Sequence, residues 1–175
     1  MTKKELAKEL FKISHITGQF KLRSGKISNE YFDKYRFESQ PQLLKAIAEN
    51  LKTAIPTECD ALAGLEMGGI PIATALSLQT GKPSLFVRKK AKEYGSCQFA
   101  EGFDVRGKEL CIIEDVVTTG GQVIESVQQL RELGATVKAV LCVINRNEVE
   151  PDSFKEANLQ LTSLFTMSEL KNSSL

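Results

Sequence analysis

The stretch Cys111-Ile112-Ile113-Glu114-Asp115-Val116-Val117-Thr118-Thr119-Gly120-Gly121-Gln122-Val123 decides how this chain reads. It begins in the apolar run Leu110 to Ile113, the kind of segment that forms a strand buried on both faces. Glu114 and Asp115 stand where that strand is expected to end, and an amphipathic helix is expected from near Gly121. Successive strand residues point to opposite faces, so two adjacent carboxylates at a strand tip offer acceptors on both sides of one point. Thr118, Thr119, Gly120 and Gly121 can turn backbone N–H groups towards a shared centre. The helix start adds its own unpaired N–H groups and a positive dipole end. Acceptors for diol hydroxyls beside donors for a phosphate describe a pocket for a ribose 5-phosphate. A plain strand–turn–helix corner capped by Asp115 would need one acid, with no paired threonines and glycines.

The 175 residues fit one domain, large enough to bury about two thirds of the unfolded surface. Apolar residues make up 42% and charged residues 26%, ordinary values for a globular protein. A net charge of +1 argues against a general nucleic-acid binder, which needs a basic surplus. The start, Met1 to Leu6, lacks the apolar core of a signal peptide, and Ala139 to Ile144 is too short to span a bilayer. A cytoplasmic protein is expected, with no membrane partner. Cys59, Cys97, Cys111 and Cys142 have no metal-ligand spacing and read as reduced thiols. One histidine, His15, rules out a multi-histidine metal site.

Working outward, Glu5 to Ser14 carries apolar residues at helical spacing. Gln19 to Ser28 alternates into Tyr31-Phe32-Asp33 and predicts a hairpin-like hood within residues 1–40. Gly25-Lys26 is not a Walker loop, because its spacing from Gly18 is wrong and Ile27 stands where a hydroxyl is required. Pro41 opens a helix. Strands are predicted at Ala61–Leu65, Ser84–Arg88, Leu110–Asp115, Val137–Asn145 and Leu159–Thr166. Helices are predicted at Ile70–Gln79, Gln122–Leu133 and Asp152–Ala157. Repeated strand–helix units imply an α/β fold, a central mainly parallel sheet flanked by helices, with a ligand crevice at the strand C-terminal ends.

The pattern has one long gap, residues 88–109. Arg88, Lys89, Lys90 and Lys92 crowd its first five positions, a repulsive arrangement that suits a mobile flap closing on a polyanion. The alternative is a solvated charged loop. Glu66-Met67-Gly68-Gly69, at the end of the first core strand, can offer backbone N–H groups to the same anion. Those glycines equally permit close helix–strand packing.

Glu114-Asp115-Val116-Val117-Thr118-Thr119-Gly120 resembles the phosphoribosyl-pyrophosphate (PRPP) motif of type I phosphoribosyltransferases. The resemblance implies that family's fold, with a small N-terminal hood and a long flexible catalytic loop. Segments 20–32, 64–73, 88–102, 114–121, 145–146 and 164–170 together are similar to the orotate-specific branch, over nearly the whole chain. The loop pattern Arg-Lys-x-x-Lys-x-aromatic-Gly, Arg88 to Gly95, is the most discriminating.

The resemblance implies transfer of a phosphoribosyl group from PRPP to orotate, giving orotidine 5′-phosphate and pyrophosphate in pyrimidine biosynthesis. Lys92 and Asp115 would be catalytic. PRPP would be held by Arg23, Met67, Gly68, Arg88, Lys89, Lys92, Tyr94 and the run Glu114, Asp115, Val116, Val117, Thr118, Thr119, Gly120, Gly121 and Gln122. Orotate would meet Tyr31, Phe32, Thr118 and Arg146, and an arginine suits a carboxylated pyrimidine. Mg²⁺ would be held mainly through PRPP, with no direct protein ligands. A homodimer sharing the loop between subunits is implied.

The chain departs from the family pattern in places. Tyr94 stands where many members carry histidine, Ser96-Cys97 where a second glycine is common, and Gly68 where some have lysine. The role of Tyr35-Arg36-Phe37-Glu38 is not explained by the pattern. Two alternatives stay open: transfer to another base, and a PRPP-sensing regulator without catalysis. The sensor would need an extra DNA-binding domain, for which 175 residues leave no room.

Overall fold

A computed structural model describes residues 1–22, 25–90 and 98–173. Arg23, Lys92, Tyr94 and the Ser96-Cys97 pair lie outside the described residues. The chain opens with α1 (Lys3–Ser14), whose start is fixed by Thr2 and Glu5 capping each other's backbone N–H groups. The expected hood follows as an antiparallel hairpin, β1 (His15–Lys21) with β2 (Ile27–Phe32). Then come the short α2 (Tyr35–Glu38) and α3 (Pro41–Leu51), which carries proline in its first turn.

The remaining elements alternate. They are β3 (Ala61–Leu65), α4 (Gly69–Thr80), β4 (Ser84–Val87), β5 (Ala100–Glu101), β6 (Glu109–Val117), α5 (Gly121–Glu132), β7 (Thr136–Asn145), α6 (Asp152–Glu156), β8 (Gln160–Thr166) and α7 (Met167–Ser173). Six strands form one sheet in the order β5-β4-β3-β6-β7-β8, and only β5 runs antiparallel to its neighbour. The chain leaves β3 towards one edge and returns at β6 to build towards the other. The C-terminal ends of β3 and β6 therefore flank the crevice where ligands bind in open α/β sheets.

Period-2 alternation splits the core between the two faces. Cys111 and Ile113 of β6 join Leu6, Leu10, Ile47, Ile72 and Leu170 beneath α1, α3, α4 and α7. Leu110 and Ile112 join Val123, Val127, Leu130 and Phe154 beneath α5 and α6. Both faces of the central strands are thus buried, which is why they read as continuous apolar runs. Among the described residues Cys59, Cys111 and Cys142 are free and buried, and no helix is long and apolar enough to cross a membrane.

Two elements differ from expectation. β6 does not stop at Asp115 but pairs with β7 through Val117, so both acids sit inside the strand. The long gap between β4 and β6 contains a strand, β5, which adds to the sheet edge opposite Phe86 and Val87. Phe99 and Val105 bury themselves on either side of it, anchoring the second half of that segment. Two residues are too short a strand to show periodicity.

Candidate active site

The cleft forms where β6 hands over to α5. Its lining runs from Glu114 to Val123 and is completed by Lys34, Tyr35, Glu66, Met67 and Lys89, around a volume of about 180 Å³. Gly120 makes the handover possible. It adopts φ +79°, and a Cβ there would lie 2.2 Å from the Phe154 ring, so only glycine fits. The loop is fixed from behind. The Arg146 N–H donates to the Val117 carbonyl at 2.9 Å, the Asn147 amide donates to the Thr118 carbonyl, and the Ser153 hydroxyl reaches the Thr119 carbonyl at 3.5 Å. Thr118 and Thr119 remain exposed at the mouth. The first N–H groups of α5 have no intrahelical acceptors, which leaves them for an anion.

The two acids do different things. Alternation sends Asp115 to the face of Ile113 and leaves Glu114 on the other. Asp115 is fully buried, with Lys34 Nζ 2.5 Å from Oδ2 and the Val116 N–H 2.5 Å from Oδ1. Glu114 is half-buried, and its Oε1 accepts the Asp115 N–H at 2.8 Å. Burial, reinforced by the charge of Asp115, pushes Glu114 well above the usual carboxylate range. Burial also pushes Asp115 up, but hydrogen bonding to Glu114 and the Lys34 ammonium outweigh it and hold Asp115 low. A neutral Glu114 can donate as well as accept, which suits a diol.

At the end of β3 the chain turns through a cis Glu66–Met67 peptide. Met67 is exposed on the cleft, whereas Gly68 and Gly69 are buried behind it. A Cβ on Gly69 would stand 2.2 Å from the Ile113 carbonyl oxygen, so helix–strand packing requires that glycine. Lys89 lies on the cleft, its N–H donating to Glu66 Oε1 at 2.6 Å. Arg88 does not line the cleft; its Nε stands 3.4 Å from Glu101 Oε1 on β5.

A second cavity, about 280 Å³, lies beside the first. Arg146 links the two, because its backbone is bonded to the cleft strand while its residue lines this cavity. Of the expected orotate residues, Tyr31, Phe32 and Arg146 line it, and Thr118 belongs to the cleft. Phe11, His15, Leu22, Ser28, Glu30, Met167 and Lys171 complete the wall. The His15 ring stacks on Phe11 at 4.6 Å, and Glu30 holds both His15 at 2.8 Å and Lys171 at 3.0 Å. The hydrogen bond with His15, and then Lys171, lowers the Glu30 pKa. The sequence assigns no site role to His15, Glu30, Lys171 or Lys34, and it marks Glu38 only as part of the unexplained stretch Tyr35 to Glu38. The partners of these polar residues lie on other segments, so no local spacing marks them.

Among the described residues no three His, Cys, Asp or Glu side chains form a metal-holding group. Glu66, Glu114 and Asp115 are the acids of the cleft lining, and Asp115 is paired with Lys34. That donor set fits a cation bound chiefly through a phosphorylated ligand.

Known proteins agree with the geometry. The phosphoribosyl transferase domain model matches residues 35–167. An orotate phosphoribosyltransferase of Nocardioides sp. (strain ATCC BAA-499 / JS614) is 47% identical, over 94% of this chain and 92% of that one. The orotate phosphoribosyltransferase of Methanocaldococcus jannaschii is 41% identical, over 89% and 88%. The crystal structure of Mycobacterium tuberculosis orotate phosphoribosyltransferase superposes with a TM-score of 0.85, at 26% identity over 96% and 98%. With the cleft, the adjoining cavity and these likenesses in agreement, the chain belongs to the orotate phosphoribosyltransferase family.

Proposed function

We propose that this chain transfers the 5-phosphoribosyl group of PRPP to orotate, releasing pyrophosphate and forming orotidine 5′-phosphate in pyrimidine biosynthesis. One observation carries the proposal: a cleft at a helix start and an arginine-bearing cavity share the β6–β7 strand ends. In this reading the α5 start and Thr118 to Gln122 hold the 5-phosphate, while Glu114 and Asp115 meet the ribose hydroxyls. Arg146 pairs with the orotate carboxylate, and Tyr31 and Phe32 flank the ring. This fixes the base nitrogen in line with the ribose carbon, lowering the entropic cost of attack.

Departing pyrophosphate leaves on the side of Met67 and Lys89, where loop cations neutralise the developing charge. Arg88 joins them by exchanging Glu101 for a phosphate, and Lys92 and Tyr94 come with the loop. Arg23 comes from the hood. Mg²⁺ would be held chiefly by PRPP oxygens, with no direct protein ligand, and would supply further charge neutralisation. A homodimer sharing the loop, and a cytoplasmic location suited to charged substrates that do not cross membranes unaided, belong to the same proposal.

Mixing protein, PRPP, Mg²⁺ and orotate should consume orotate absorbance, with uracil and hypoxanthine left untouched in parallel reactions. Consumption of another base instead would replace orotate as the acceptor and remove the role given to Arg146.

A further inference from the structure

Behind the ribose end of the cleft lies a buried charge cluster built on α2, the segment that the family pattern does not explain. Glu38, only 7% exposed, faces Asp115 across the space that Gly68 leaves open. A Cβ on Gly68 would stand 1.6 Å from Asp115 Oδ2 and 2.7 Å from Glu38 Oε1, so the two carboxyl groups converge on one point. Glu38 Oε1 is buried without a hydrogen-bond partner. Among the described residues Lys34 is the cation paired with this cluster. Its ammonium lies on Asp115 Oδ2 and its side chain lines the cleft, half-buried.

Two buried carboxyl oxygens facing one another repel unless a proton lies between them. A carboxylate has about four lone-pair sites. Asp115 accepts the Val116 N–H on Oδ1 and pairs with the Lys34 ammonium at Oδ2, which has no hydrogen-bond partner, so a neutral Glu38 can supply a further donor there. We infer that Lys34 and Glu38 are positioning residues that exchange on Asp115. Lys34 is the partner that the ribose hydroxyls of PRPP replace, and Glu38, as the neutral acid, is the partner that stays.

The chemistry requires this division. Lys34 sits on the cleft wall and can turn its ammonium to a phosphate oxygen, keeping its proton. Asp115, fully buried, would then have no cation beside it and would be held by neutral donors alone, the Val116 N–H, the ribose hydroxyls and the Glu38 proton. An ionised Glu38 would make matters worse, because Lys34 would be held by two anions and could not leave. Burial first, then its contact with the Asp115 carboxyl and that residue's charge, push Glu38 up to about 8. The other charged groups facing it are Lys34 and Asp33, both from the turn before α2. From α1 and α3 it is Leu6, Leu10, Leu43 and Ile47 that share the apolar cluster with Phe37.

The inference rests on Asp115 meeting the ribose, so its test separates the two. PRPP affinity is measured calorimetrically from pH 6.5 to 9.5 for the wild type, Glu38→Gln, Glu38→Met and Asp115→Asn, with melting curves alongside. Wild-type affinity should fall about tenfold per pH unit above pH 8, the slope of a single required proton. Glu38→Gln cannot ionise but still donates, and should lack that fall. Glu38→Met should also be pH-flat, but weaker throughout. A wild-type profile flat to pH 9.5 overturns the exchange, as does an alkaline fall retained in either Glu38 variant. Either of those results with Asp115→Asn still binding PRPP poorly leaves the ribose role standing. Undiminished PRPP binding by Asp115→Asn removes that role and the exchange with it.

Discussion

The two cavities are neighbours, yet they are built on opposite plans. The cleft at the start of α5 is essentially one run of chain, Glu114 to Val123, with a few residues added from elsewhere. The adjoining cavity gathers side chains from separate segments, α1, the β1–β2 hairpin, the end of β7 and α7. The contrast follows from the ligands each would take. A phosphate is recognised by backbone N–H groups at a helix start, which any suitable strand–loop–helix corner supplies locally. A flat carboxylated ring needs walls on two sides and a fixed cation, and no short peptide provides these alone. Single changes should therefore disable the cleft outright, whereas the dispersed cavity should lose function by degrees.

The largest effect is expected from the loop that serves the cleft. Lys92→Ala should lower kcat by about 10²–10³-fold, as loss of one transition-state charge stabiliser commonly does. PRPP and orotate KM should change little, and single-turnover kinetics would show it. A KM effect alone would move Lys92 into ground-state binding. Arg146→Ala is the sharpest change available in the dispersed cavity. Loss of a charged hydrogen bond, about 1.5–3 kcal/mol, should raise orotate KM about 10- to 100-fold and spare PRPP affinity. An equal loss for both substrates would erase the distinction between the cavities.

Gly120→Ala attacks the contiguous cleft. A left-handed alanine costs about 1–2 kcal/mol before the overlap with Phe154 is counted, so both melting temperature and PRPP affinity should drop. Pairing it with Phe154→Leu should restore part of the stability, which a thermal melt can check.

The buried acid behind the cleft should also show in stability. Between pH 4.5, the ordinary glutamate value, and about 8, the folded chain holds a Glu38 proton that the unfolded chain has lost. Wild-type stability should therefore fall as pH rises through that window, and Glu38→Gln should flatten the fall in a series of chemical melts. The smallest effect belongs to the cavity rim. Glu30→Gln weakens exposed contacts to His15 and Lys171, and orotate KM should shift by less than about threefold at neutral pH. A larger change would show that this rim acts as one unit.

The same contrast explains what could be read in advance. Strands β3, β6 and β7 announced themselves because burial on both faces leaves unbroken apolar runs. The cleft announced itself because its donors and acceptors are consecutive. Arg146 and Phe32 entered through a family resemblance, not through spacing of their own. β5 escaped notice because two residues carry no period, and its pairing with β4 comes from the sheet edge. Glu38 stood in a stretch whose role the family pattern left unexplained and Lys34 just before it, because nothing within α2 indicates that Asp115, far along the chain, lies against them.

By itself the sequence determined the alternating strand–helix order, the phosphate corner at Glu114 to Gln122 and the apolar faces that form the sheet. All of these depend on residues within a few positions of one another. The tertiary structure alone decided that Asp115 is the fully buried acid of the pair, paired with Lys34, while Glu114 is only partly buried. It also decided that a second cavity closes around Arg146, and that Glu38 shares its buried position with Asp115. Those outcomes depend on which distant segments meet across the β3–β6 crevice, and pairwise burial between remote residues leaves no periodic trace in a chain.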